Sequence, residues 1–341
     1  MNRSKLIAVV LLVVFLLPTS IYFFKSCDKP SISAENNPKE ELTLKTSATF
    51  NADSAFAYVQ KQVDFGPRVP NSTSHKACGD WLIAKLKQFG ASVTVQSFAA
   101  TAYNGTKLQA RNIIGSLNPS ATKRILLAAH WDTRQVADKD SAAYQNKPFD
   151  AANDGASGVG VLLELVRAVQ ANAQKPTVGI DVIFFDVEDY GAPENSNADP
   201  SGQYWCLGSQ YWAKNLHQPN YSAYFGILLD MVGGKNAHFT KEGTSMTYAR
   251  DVTNQIWNVA SKLGYNQFFI EQETGGITDD HSAVNEIAKI PMVDIIEYNT
   301  THPDKVFGDY HHTHNDNMQL IDKQTLKAVG QTVMQVIFQE E

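Results

Sequence analysis

Short, wholly apolar runs recur along this chain, and each is closed by an acid or a histidine. Residues 125–129 run into His130, residues 182–185 into Asp186-Val187-Glu188-Asp189, and residues 227–229 into Asp230. Apolar runs this short, without polar alternation, read as strands buried on both faces, the habit of parallel sheets. Segments with helical spacing lie between them. The pattern therefore predicts an α/β fold: a mostly parallel, mixed central sheet flanked by helices on both faces. In such sheets ligands gather just beyond the carboxyl ends of the strands, where these acids and histidines stand.

The spacing predicts helices over 55–63, 75–89, 156–170, 207–215, 252–263 and 320–338. Strands are expected over 93–98, 111–117, 124–129, 179–186, 224–230, 267–270 and 291–296, the first of them at a sheet edge. No internal repeat or linker divides 53–341, so it reads as one catalytic domain. Three connections, 132–150, 190–205 and 299–310, are longer than connectors need to be and leave from the strand ends that hold the acids. Long loops in compact domains are usually functional, so they are expected to wall a pocket. Tyr204, Trp205, Phe307 and Tyr310 are candidates to line it, or to pin the loops to the body.

Before the domain, Met-Asn-Arg-Ser-Lys precedes a nearly all-apolar stretch over 6–24. Residues 1–30 fit a membrane anchor or a signal segment. Basic residues ahead of the apolar run place the rest of the chain outside the cytoplasm, in the periplasm, held to the membrane by this segment. A helix anchor, a lipid on Cys27 and simple secretion all remain open. Residues 31–52 are polar and read as a flexible linker. The net charge of −6, with no lysine- or arginine-rich stretch, excludes nucleic acid as a partner. A monomer is expected. Cys78 and Cys206 are either bridged, as an oxidising compartment permits, or two buried thiols.

The chemistry follows from residue type and place. Asp154 opens the turn Asn153-Asp154-Gly155 just before a helix. Asp186, Glu188 and Asp189 crowd one strand exit, where like charges are unfavourable unless a cation or proton offsets them. One histidine of His311-His312-Thr313-His314 supplies a third ligand type. Scattered acids and imidazoles with a glutamate beside a ligand describe a zinc site with a general base.

These residues also carry a resemblance. His130-x-Asp132, Asn153-Asp154-Gly155, Glu188-Asp189, Leu228-Leu229-Asp230 and His312-Thr313-x-x-Asp316 occur in the order seen in zinc-dependent M28-type peptidases. With Phe65-Gly66-Pro67-Arg68-Val69-Pro70, Asp279-Asp280-His281 and Asp316-Asn317, the chain more narrowly resembles bacterial glutaminyl-peptide cyclotransferases on the same fold. That resemblance implies Asp154, Asp189 and His312 as ligands of one zinc ion per chain. It implies Glu188 as general acid and base, with Asp230 and Asp279 orienting substrate and sharing its protons. The substrates implied are peptides and proteins with an N-terminal glutamine, closed to pyroglutamate with release of ammonia. His130 and Asp132 are expected to support the ligands from behind. Asp294, read at a strand end, either supports them or caps. The chain departs from animal cyclases at Asp189, where they carry Glu, and at His311, where they carry Trp, so an aromatic wall has to come from elsewhere, with Trp205 the candidate. The rival is a two-zinc aminopeptidase, with His130 and Asp230 holding a second metal and Asp154 bridging. The extra acid of Asp279-Asp280-His281 favours cyclisation.

Overall fold

A computed structural model describes residues 42–193, 196–199, 201–300 and 306–340. The expected anchor over 1–30 lies outside the described residues. Within them no helix is long and apolar enough to cross a membrane.

The strands are β1 (Ser92–Thr101), β2 (Lys107–Leu117), β3 (Arg124–His130), β4 (Gly179–Phe185), β5 (Phe225–Asp230), β6 (Phe239–Lys241), β7 (Phe269–Glu273) and β8 (Met292–Ile296). Six form the main sheet in the order β1-β2-β4-β3-β5-β8. β3 runs parallel to β4 and β5, and β5 parallel to β8, whereas β1-β2 and β2-β4 are antiparallel. β1 lies at one edge, as expected.

The helices are α1 (Ala52–Val63), α2 (Thr73–Gln88), α3 (Ala156–Ala171), α4 (Leu207–Lys214), α5 (Gly243–Tyr248), α6 (Arg250–Lys262), α7 (Asp280–Ala283) and α8 (Lys323–Gln339). Alternate residues of the central strands serve the two faces. Leu127, Val182 and Ile227 pack with Val59 of α1, Leu162 of α3, Trp257 of α6 and Val333 of α8. Leu126, Ile183 and Leu228 pack with Trp212 of α4 and Val284, which opens a π-helical turn over Val284–Ala288.

Three short elements, β6, α5 and α7, lie where sequence periodicity gives no signal. β7 pairs with β6 in a separate two-stranded sheet, parallel to it. α8 begins later than expected, because the Asp322 side chain accepts from the Thr325 N–H and caps the helix there.

The domain also starts earlier than 53. Ala48 and Phe50 are buried, and the backbone of 43–50 bonds to a ladder of glutamines one turn apart on α8. Gln331 takes the Phe50 N–H, Gln335 donates to the Lys45 carbonyl and Gln339 donates to the Thr43 carbonyl. The second half of the expected linker is therefore docked. Phe50 lies flat on Gly330, where any Cβ would meet its ring.

Candidate metal centre and acidic pocket

Three parallel strands deliver the site. β3 ends on His130, β5 ends on Asp230, and Glu188 and Asp189 follow β4 by a turn. α3 carries Asp154 just before its first turn. It packs so closely on β5 that a Cβ at Gly158 would collide with the Leu229 carbonyl, which brings Asp154 beside Asp230. Val187, Met231 and His312 all have positive φ, at 53°, 47° and 57°. Non-glycine residues rarely adopt this conformation, a β-branched one least of all, and such strain persists where the surroundings hold side chains to a task.

The three expected ligands converge. His312 Nε2 lies 3.6 Å from Asp154 Oδ2 and 3.4 Å from Asp189 Oδ1. Asp138 Oδ1 stands 3.5 Å behind His312 Nδ1, a third carboxylate placed to fix the ring so that Nε2 faces the other two. Buried Asp189 Oδ2 has no hydrogen-bond partner, whereas native interiors satisfy nearly all such atoms. Two carboxylates and an imidazole with a spare buried oxygen fit zinc, which takes nitrogen and oxygen donors and leaves one position open in catalytic sites. His314 is turned away. Its ring and its N–H both meet Asp140, at 3.0 and 2.9 Å. His311 does reach the site, with Nε2 3.8 Å from Asp154 Oδ2, while its Nδ1 accepts from Lys139 Nζ at 2.7 Å.

The residues expected in support hold that triad. Asp132 accepts from the N–H groups of Glu188 and Asp189, at 3.1 and 3.3 Å. His130 Nε2 lies 2.9 Å from Asp154 Oδ1 and 3.2 Å from Asp230 Oδ1. His130, Asp154 and Asp230 form one group whose ligand atoms all lie within 4.8 Å of one another, and Asp154, His311 and His312 form another. Asp294 differs from expectation. It sits mid-strand in β8, not at a strand end, and faces His281 at 3.8 Å, so it neither caps nor touches a ligand.

Beyond the triad the pocket is acidic. Glu188, Asp230 and Asp279 line a cavity of about 370 Å³ together with Asp154, Asp189, His311 and His312. Burial pushes Glu188 well above the ordinary glutamate range; His130 pulls the other way, and the charges of Asp279 and Asp189 add to the rise. Burial likewise lifts Asp230 to about 7, against its His130 hydrogen bond and with help from Asp154. Burial raises Asp279 as well. Burial also opposes the Asp154 carboxylate, but the His130 hydrogen bond and the nearby imidazoles outweigh it and hold Asp154 below its usual value. Of the acids at the β4 exit, only Asp186 turns away, to His75 Nε2 at 2.8 Å.

Of the three long loops, two wall the cavity: Ser201, Gly202 and Trp205 come from one, Phe307 from another. Trp205 stacks parallel to His312, ring centroids 6.2 Å apart, and the Arg134 guanidinium lies over its indole. The third loop, 132–150, packs behind instead. Its Arg134 reaches Asp189 Oδ1 at 3.3 Å and pairs with Asp138. Tyr310 is a buried anchor that donates to Glu297 and accepts from Asn153. Sequence reasoning gave Arg134, Asp280, Cys206 and Asp316 no role at the site. Asp316 accepts from the N–H groups of Asn153 and Asp154, at 2.7 and 3.1 Å, and so sets the turn that presents Asp154. Cys78 and Cys206 are both buried and free.

A crystal structure of a glutaminyl cyclase from Bacteroides thetaiotaomicron, bound to N-acetylhistamine, is 52% identical, with a TM-score of 0.84 over 87% of this chain and 100% of that one. A Zn-dependent exopeptidase from Parabacteroides distasonis is 53% identical, with a TM-score of 0.83 over 86% and 99%. The glutaminyl-peptide cyclotransferase of Drosophila melanogaster is 26% identical over 267 residues, 74% of this chain and 68% of that protein. The model of peptidase family M28 matches residues 112–337, and the chain belongs to that family.

Proposed function

We propose that this protein is a zinc-dependent glutaminyl cyclase, converting the N-terminal glutamine of peptides and proteins to pyroglutamate with release of ammonia. The observation that carries the reading is the crowd of protonatable carboxyls, Glu188, Asp230 and Asp279, beside a triad that fits one zinc. An N-terminal glutamine holds its nucleophile, the α-amine, and its electrophile, the γ-carboxamide, in one residue. Ring closure then needs orientation more than an external water. The cavity walls, Trp205 and Phe307 among them, fold the side chain back toward its own amine. Asp230 and Asp279 hold the α-ammonium, whose pKa is near ~8. Once the ammonium has lost a proton to solvent, the neutral amine attacks; Glu188 takes one further proton from that nitrogen and returns it to the departing ammonia. A glutamate lifted by burial is suited to both transfers, since its affinity for the proton approaches that of its partners. The chemistry a zinc ion supplies when held by Asp154, Asp189 and His312 is Lewis-acid stabilisation of negative charge on the γ-carbonyl oxygen.

One observation favours a second reading. The group of His130, Asp154 and Asp230 is also compact enough for a second metal, which would suit a two-zinc aminopeptidase. Ammonia release from Gln-initiated peptides, measured beside amino-acid release from Leu-initiated ones and zinc per chain, separates the two. Cyclisation with one zinc is expected; ready hydrolysis with two would reverse the reading. His312→Ala should empty the metal site and His314→Ala should not; the opposite result would mean that the ligand comes from the other histidine. From residues 1–30 we further place the domain outside the cytoplasm, in the periplasm and tethered to the membrane, which cell fractionation tests.

A further inference from the structure

We propose that Cys206 is a positioning residue for this reaction: its thiol donates to Glu188 Oε1 and fixes the orientation of the carboxyl that moves the protons. Cys206 Sγ lies 3.2 Å from Glu188 Oε1. The other oxygen, Oε2, lies 4.0 Å from His130 Nδ1 and is left to meet substrate. Cys206 is 4% exposed, and Glu188, Cys206 and Asp279 form one group with ligand atoms all within 4.8 Å of each other.

The backbone holds this contact in place. Cys206 precedes α4 with φ of 54°. Its N–H donates to the Glu188 carbonyl at 2.9 Å, and the Leu207 N–H to the Val187 carbonyl at 3.1 Å. Its own carbonyl accepts from the Gln210 N–H and from Ser209 Oγ, both at 3.0 Å. A Cβ at Gly208 would collide with the Asp186 carbonyl. The first turn of α4 therefore rests directly on residues 186–188, which holds the Cys206 backbone beside Glu188. Burial and the surrounding carboxylates raise the thiol well above its ordinary value, so it keeps its proton and acts as a donor. A thiol is a weak donor. It sets the direction of the carboxyl without taking much of the basicity that proton transfer needs.

The alternative is that Cys206 is only a small buried apolar side chain. Cys206→Ala loses the donor without putting a β-branched residue at a φ of 54°, and Cys206→Ser keeps a donor. The alanine variant should lower kcat about five- to tenfold, with KM within about twofold and zinc content unchanged. The serine variant should recover most of that loss. Wild-type kcat in the alanine variant, or a serine variant as impaired as the alanine one, would overturn the proposal. Infrared spectroscopy of the thiol S–H stretch tests the contact without activity. The band that disappears in Cys206→Ala should shift in Glu188→Gln, and an unmoved band would also overturn the proposal. The inference rests on Glu188 as the proton-transfer group. Full turnover in Glu188→Gln with a shifted S–H band would remove that role yet leave the contact standing, so the two failures are distinguishable.

Discussion

β3 and β4 carry buried charge at both of their ends, and the two ends treat it in opposite ways. At one end the fully buried Asp181 receives Arg124 through two bonds, of 2.6 and 2.7 Å, and also the hydroxyls of Ser116 and Tyr221. Neither of its oxygens lacks a partner. At the other end Asp189 Oδ2 and Asp279 Oδ2 are buried without a hydrogen bond, and several carboxyls face one another. A buried ion pair with every lone pair used belongs to the scaffold. A buried cluster that leaves atoms unused is reserved for a ligand the fold does not itself contain. Burial is common to both ends; completeness of pairing separates them.

The sharpest test of that contrast exchanges the roles. Glu188→Gln preserves shape and removes the proton carrier, so turnover should fall about 10²- to 10⁴-fold while bound zinc is retained; unchanged rates would relocate the proton transfer. Asp181→Asn should do the reverse. It strands the Arg124 charge, and urea unfolding should report a loss of about 3–5 kcal/mol with kcat of the folded protein unaffected. If it instead altered catalysis and spared stability, the distinction between the two ends would be lost.

A smaller effect concerns pH. Burial lifts Glu297 to about 7, against the hydrogen bond from Tyr310. As pH climbs from the ordinary glutamate range toward 7, the unfolded chain releases this proton and the folded one keeps it. Stability from this group therefore falls across that window, by about 3 kcal/mol, and levels off above it. Glu297→Gln should flatten the fall, and an unchanged profile would mean that Glu297 ionises normally. Smallest is Asp316→Asn, which weakens the support of the 153–154 turn. Zinc affinity should drop about 10- to 100-fold, measured by competition with a chelator; full affinity would show that the turn holds without it.

How much of this was legible in the sequence depended on the range of the signal. The strand runs, the long helices and the acids at the strand ends were readable because burial periodicity and strand exits are local. β6, α5 and α7 were not, being too short to display a period. Asp316 was seen as part of a spaced motif, but its bonds to Asn153 and Asp154 join positions more than 160 residues apart. Cys206 suffered the same way: nothing near it in sequence announces Glu188. Arg134 was hidden in a loop read as a wall. Asp294 was misplaced because a single acid inside an apolar run resembles the end of a strand. The stretch before 53 misled by composition, since polar residues suit a free linker and equally suit a backbone caught by side-chain amides.

That last feature has a mechanical side. The glutamines of α8 grip the chain over 43–50 at successive turns, and Phe50 is seated on Gly330. A pull on the N-terminal end of this segment would peel those contacts one after another, like tape from its free edge, before any load reached the strands that end at the acidic pocket. Trimming the protein at residue 53 would remove this strain relief and leave the seat of Phe50 open to water.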